Sequence, residues 1–227
     1  MIKSGDNLIV ARVLILIEIV CVTVVTIMLI KLLRNNLNGQ GTWFVAPFVL
    51  IMAAVVPTRL RKRSFAEIGL RIGRLGLIFR MLCAACVIVF PLLLAGVFLL
   101  KHFEVQLLLC PVIPENGWIS WLVYQFMYIA VAEEMFFRGY LQSNVLCLLT
   151  TSIQKNRVFL NLIGIIVSAI VFAISHSVIL GSVMPMITFF PGLIFGWLFV
   201  KTESLLAPIL FHGLANIYYA FIGMVLV

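Results

Sequence analysis

Ala132-Glu133-Glu134-Met135-Phe136-Phe137-Arg138-Gly139 sets two adjacent carboxylates and an arginine inside an apolar run that opens at Trp118 and continues almost to Leu149. A charged side chain at the centre of a bilayer costs roughly 2.5–3.5 kcal/mol even on the lenient insertion scale. Three such groups so close together mark a function rather than a tolerance. On a helix Glu134 and Arg138 are i,i+4 neighbours and can pair along one face. Glu133 is turned ~100° away, and its own i+4 neighbour, Phe137, cannot neutralise it. The spacing gives Glu134 a structural task and leaves Glu133 available.

Beyond this stretch, composition sets the class. Of 227 residues, 64% are hydrophobic and 11% charged, with a mean hydropathy of +1.22. That is too apolar for a soluble domain and predicts an all-α, polytopic transmembrane helical bundle. The apolar runs are continuous, so the alternation of a membrane β-barrel is missing. The net charge of +8 does not indicate nucleic acid, because the basic residues cluster beside spans as juxtamembrane anchors do. Of the five cysteines, Cys21, Cys83, Cys86, Cys110 and Cys147, four lie in apolar segments and read as small buried hydrophobes rather than disulfide partners. Cys83-Ala-Ala-Cys86 has redox or zinc spacing, but its place inside a span argues against both.

The chain divides into about seven expected spans: Leu8 to Leu32, Trp43 to Val56, Leu77 to Leu100, the acidic segment from Trp118, Val158 to Leu180, Met186 to Val200, and Leu205 to Leu226. The first carries Glu18, expected to face other helices or water in a packing rather than a catalytic role, and reads as a retained span rather than a signal peptide. The second is short and contains Pro47, as a tilted or bilayer-thinning helix would be. Arg34 to Gly41 reads as a polar turn, and Ser64 to Leu70 as a short helix lying on the membrane surface. The connection from Thr58 to Gly76 holds Arg59, Arg61, Lys62, Arg63, Arg71 and Arg74, and Lys155 and Arg157 precede the fifth span. Basic short loops stay in the cytoplasm, which sets the N-terminus inside and the C-terminus outside. After Gly139 the segment Tyr140 to Leu149 is expected to peel away along the inner surface. Gly192 and Gly196 form a small-xxx-small pair that lets helix backbones approach. The whole chain, 1–227, reads as one integral membrane domain with its motif-bearing core at 118–227.

Two further polar constellations fall inside apolar spans. Phe172-Ala-Ile-Ser-His176 lies on the fifth and His212-Gly-Leu-Ala-Asn216 on the seventh, where His212 and Asn216 share a face at i,i+4. A lone intramembrane histidine most often only hydrogen-bonds between helices. Glu133, His176, His212 and Asn216 together supply a carboxylate base, two imidazoles and an amide donor, the parts needed to activate water and hold an oxyanion. Simple counting sets His176 near the outer end of its span and Glu133 and His212 deeper, so the fifth span is expected to enter later than Val158, after residues lying along the surface.

In order along the chain, Glu133-Glu134-x-x-x-Arg138, Phe172-x-x-x-His176 and His212-x-x-x-Asn216 resemble the three motifs of the CPBP family. That family comprises CAAX prenyl endopeptidases of the Ras-converting type and bacteriocin-processing or self-immunity (Abi) proteins. Each motif alone is weak, and three in order are specific. The resemblance implies an intramembrane endopeptidase with a CAAX-protease-like core, cleaving near the C-terminus of a lipidated or membrane-inserted protein or peptide. By the family's roles, Glu133 activates water with help from His176. His212 and Asn216 stabilise the oxyanion, Glu134 and Arg138 hold the first motif in shape, and Phe172 packs beside the site. A non-proteolytic immunity or scaffold protein is the alternative, and the complete motifs favour the enzyme. The short chain fits the cell membrane of a bacterium, with the bilayer and a substrate bearing a C-terminal processing signal as partners.

No cofactor is expected. Glu133, His176 and His212 would be the ligands if zinc were bound, since a catalytic zinc takes three protein ligands. Yet no His-Glu-x-x-His stands in the chain, and Asn216 is a poor zinc ligand and a good oxyanion donor. The inventory therefore favours a glutamate-type protease over a zinc-dependent one.

Overall fold

The computed structural model describes residues 3–37, 42–104, 114, 116–152 and 156–226. Cys110, Lys155, most of the loop between the third and fourth spans and the end of the 34–41 turn lie outside them. Within the described residues the chain forms helices and turns with no strand. Seven helical segments follow the expected spans: α1 (Lys3–Asn36), α2 (Thr42–Leu60), α3 (Leu75–His102), α4 (118–152), α5 (Arg157–Leu180), α6 (Phe189–Thr202) and α7 (Leu206–Leu226). Five described helices are long and apolar enough to cross a membrane, namely Ile9–Asn36, Leu75–His102, Arg157–Leu180, Met184–Thr202 and Leu206–Met224, while Phe44–Leu60 is shorter. The protein is an integral membrane protein.

The acidic helix α4 runs through the middle of this bundle and touches α2, α5, α6 and α7. It is helical throughout but not α-helical throughout. Tyr124–Ala130 and Met135–Gln142 are π-helical, on either side of the single α-turn Val131–Glu134. In a π turn each N–H reaches one carbonyl further back, so the turn is wider and the side chains beyond it are re-aimed. Every residue from Met135 to Gln142 is buried. The outward faces of α1 and α3 are apolar instead, with Val13, Val20 and Val24 on α1 and Phe79, Val87 and Leu92 on α3 exposed. Such faces are what a bilayer covers.

Glycines set how closely α6 approaches α5. A Cβ on Gly192 would lie 3.2 Å from Ala169, and one on Gly196 3.1 Å from Ile165. The same two residues turn their carbonyls to α4, where Gly192 accepts from Arg138 and Gly196 from Gln142. Close backbone approach thus ties α6 to the two helices that carry the first two motifs.

Three local expectations are corrected. Ser64 to Leu70 is not a helix on the surface: its residues form turns, and Ile68 is fully buried. Ser64 and Glu67 do form a capping box, with Ser64 N–H donating to Glu67 and Glu67 N–H to the Ser64 hydroxyl, but the turn stops at Gly69, whose φ is +83°. The Ser64 N–H and the Arg63 guanidinium hold the Glu67 carboxyl below its ordinary value. The Gly69 carbonyl accepts the Leu205 N–H, and Arg71 pairs with Glu203, so tertiary contacts pull this connection under α7. The tail of α4 does not peel away either, because Leu146 packs into the space left by Gly164 on α5. Finally, α5 is continuous from Arg157, with the Asn156 side chain capping Val158 N–H. The expected late entry, after residues lying along the surface, is therefore not observed.

Glu18 does face other helices. It accepts from the Arg61 guanidinium at 2.8 Å and from the Tyr140 hydroxyl at 3.1 Å. Cys21, Cys83, Cys86 and Cys147 are free thiols, but they are not the buried residues expected: Cys21, Cys83 and Cys147 are exposed on the bundle and Cys86 is half-buried.

Candidate active site

The α-turn between the two π stretches aims Glu133 and Glu134 in different directions. Glu134 and Arg138 pair at 3.1 Å with both side chains fully buried. An ion pair in such a place survives only when further partners offset its lost hydration, and here they are present. Arg138 also donates to the Gly192 carbonyl at 3.1 Å, and its guanidinium lies 4.6 Å from the Phe172 ring centre and 4.9 Å from that of Phe195. Aromatic faces attract a desolvated cation.

Glu134 has a second partner that helical spacing does not show. Its Oε1 lies 2.8 Å from Nδ1 of His212. A carboxylate accepts, so Nδ1 is the donor and, in the neutral ring, Nε2 carries the lone pair. The His212 ring is stacked on Phe195 at 4.6 Å. His176 is oriented in the same sense from α5. Its Nδ1 donates to the Phe172 carbonyl at 2.9 Å, which again leaves Nε2 for the site.

Both Nε2 atoms face Glu133. Its Oε2 stands 3.7 Å from Nε2 of His176 and 3.8 Å from Nε2 of His212. Within the protein that oxygen makes no hydrogen bond although it is buried. These separations are too long for direct hydrogen bonds, and a water ~2.8 Å from each polar atom fits across them. Water has two protons to give, so at this position it would donate to Glu133 Oε2 and to one unprotonated Nε2.

The same three atoms are the ones zinc would need, and they stand slightly further apart than zinc ligands do. Oxygen and nitrogen atoms held tetrahedrally at ~2.0–2.1 Å by zinc sit ~3.4 Å apart, closer than the separations observed. Among the described residues no three His, Cys, Asp or Glu side chains are grouped to hold a metal ion.

The structure thus gathers Glu133, Glu134, Arg138, Phe172, His176 and His212 into one cluster. Asn216 lies one turn along α7 from His212, and its amide donates at 2.9 Å to Oε1 of Gln125 on the first π stretch of α4. Sequence reasoning missed Gln125, Phe195 and Gly213. Gln125 left a readable trace, as an amide within an apolar run. Phe195 left none, being one of 18 phenylalanines. Gly213 matters because a Cβ there would overlap the Phe126 ring.

Residues 115–218 match the family described as type II CAAX prenyl endopeptidase Rce1-like. The match contains all three motifs and agrees with the CPBP resemblance read from them. Searches of curated proteins and of solved structures return no match.

Proposed function

Taking residues 115–218 as Rce1-like, we propose that the chain is an intramembrane endopeptidase in which Glu133 activates water. The observation that supports this best is the convergence of His176 Nε2 and His212 Nε2 on Glu133 Oε2, with both Nδ1 atoms tied elsewhere. Water held by Glu133 and His176 gives its proton to Glu133 while its oxygen attacks the peptide carbonyl carbon. His212, when Nε2 carries a proton, and the Asn216 amide donate to the oxyanion that forms. Collapse breaks the C–N bond, the departing amine takes the proton from Glu133, and a new carboxyl remains. Glu134, Arg138 and Phe172 keep the imidazoles in place.

The substrate is a lipidated or membrane-inserted protein or peptide, cut near its C-terminus within a bacterial cell membrane. The motif-bearing core is 118–227 of a single domain. The Arg59 to Arg74 connection is cytoplasmic and the C-terminus outside, because short basic loops set orientation. An impermeant thiol reagent should label Asn116→Cys, and not Ser64→Cys, in intact cells; the reverse pattern inverts the topology.

The activity test compares membrane and secreted proteins by C-terminal mass spectrometry in cells with wild-type protein and with Glu133→Gln. New C-termini that need Glu133 are the expected result, and identical C-termini would favour the scaffold alternative. The mechanism is metal-independent, so purified protein should keep its activity in EDTA and 1,10-phenanthroline. Loss on chelation with recovery on substoichiometric zinc would return Glu133, His176 and His212 to the role of ligands.

A further inference from the structure

Gln125 takes no part in activating water or breaking the peptide bond, yet it holds the side chain of the third motif that does not face Glu133 directly. We propose that Gln125 is a positioning residue that fixes the Asn216 amide in the orientation an oxyanion requires. The inference rests on the protease reading.

A primary amide offers two donors on its nitrogen and two lone pairs on its oxygen, and half a rotation exchanges them. Turned one way, Asn216 stabilises an oxyanion. Turned the other way, it sets lone pairs against the developing charge. Oxyanion stabilisation depends on donors already aimed before the charge appears. The bond from Asn216 Nδ2 to Gln125 Oε1, 2.9 Å long, occupies one N–H and leaves the second for a ligand. With Gln125 kept in this orientation, the half-rotated Asn216 amide would meet Oε1 with its own oxygen.

The surroundings leave this contact little slack. The residue next to Gln125 is Phe126, whose ring fills the space that a Cβ on Gly213 would need. Gly213 itself comes directly after His212. The first π stretch, Tyr124–Ala130, therefore seats the third motif at two points, by shape at Gly213 and by a directed bond at Asn216.

A double-mutant cycle on the full-length purified protein tests the proposal, with a farnesylated, internally quenched CAAX peptide as probe. Gln125→Met, similar in length but without hydrogen bonds, should lower kcat about tenfold or more and leave KM within about twofold. Gln125→Ala repeats the measurement if the methionine variant does not accumulate. Asn216→Ala should lower kcat further. The double variant Gln125→Met/Asn216→Ala should match Asn216→Ala within about twofold, because a residue that acts only through Asn216 has nothing left to position. An unchanged kcat in Gln125→Met, or losses that multiply in the double variant as they would for a packing role, would overturn the inference. Glu133→Gln is the control that separates the two levels. If it cleaves as fast as wild type, the protease reading fails; if it is inactive while Gln125→Met is normal, only the positioning role fails.

Discussion

The two sides of the acidic turn in α4 have the same residue type and opposite surroundings. On one side Glu134 is fully buried and meets Arg138 and His212, with Phe172 and Phe195 closing the space around the guanidinium. On the other, Glu133 is 16% exposed and its nearest imidazole nitrogens stand 3.7 and 3.8 Å away. One oxygen of Glu134, Oε1, is shared between the Arg138 guanidinium and His212 Nδ1. Glu133 Oε2 makes no hydrogen bond within the protein and faces both imidazoles across gaps wide enough for a water. Adjacent positions on one helix turn serve both ends because ~100° of rotation separates them, and the π stretches on either side re-aim the side chains beyond them.

The largest effect should come from breaking the closed side. Glu134→Ala leaves Arg138 buried without its counter-charge and His212 Nδ1 without its acceptor, and loss of one partner of a buried pair costs about 3–5 kcal/mol. Thermal unfolding in detergent should shift markedly downward, membrane yield should fall, and activity should fall with it. Glu133→Gln should separate the two sides: general-base loss costs about 10²–10⁴ in rate, while the unfolding midpoint stays near wild type. If these two variants behave alike in both assays, the division of labour between the glutamates is wrong.

A smaller effect probes how the closed side supports the open one. Phe195→Leu removes the ring stacked on His212 and one face of the Arg138 cage, a cation–π contact worth about 0.5–2 kcal/mol. The unfolding midpoint should drop modestly and the rate should drop without change in KM, since the ring touches the imidazole and not the substrate. The smallest effect belongs to a more open guanidinium–carboxylate pair, Glu18 with Arg61, whose side chains are 31% and 20% exposed. Arg61→Met should cost no more than about 1 kcal/mol and leave proteolysis unchanged. A drop in activity there would mean that the polar cluster of Glu18, Arg61, Tyr140 and Asn144 reaches the site.

Some of this was legible in the chain. Apolar runs of membrane-spanning length give the helices, because every backbone group in lipid must be bonded within its own segment. The i,i+4 rule gives the Glu134–Arg138 pair, since both groups ride on one helix and their spacing is a property of the helix. The turns around Ile68, the continuation of α4 past Gly139 and the unbroken start of α5 were not legible. The first two depend on partners far away in sequence, Leu205 for Gly69 and Gly164 for Leu146, while the start of α5 rests on the local Asn156 cap.

The class of protein, the number of helical segments and the three motifs can all be read from the chain alone, because each is carried by residues within a few turns of one another. Three contacts needed the folded bundle: Glu134 holding His212, both imidazoles turning Nε2 toward Glu133, and the Asn216 amide resting on Gln125. They join α4 to α5 and α7, and their geometry depends on glycine-allowed helix approaches and on two π stretches that no local periodicity announces.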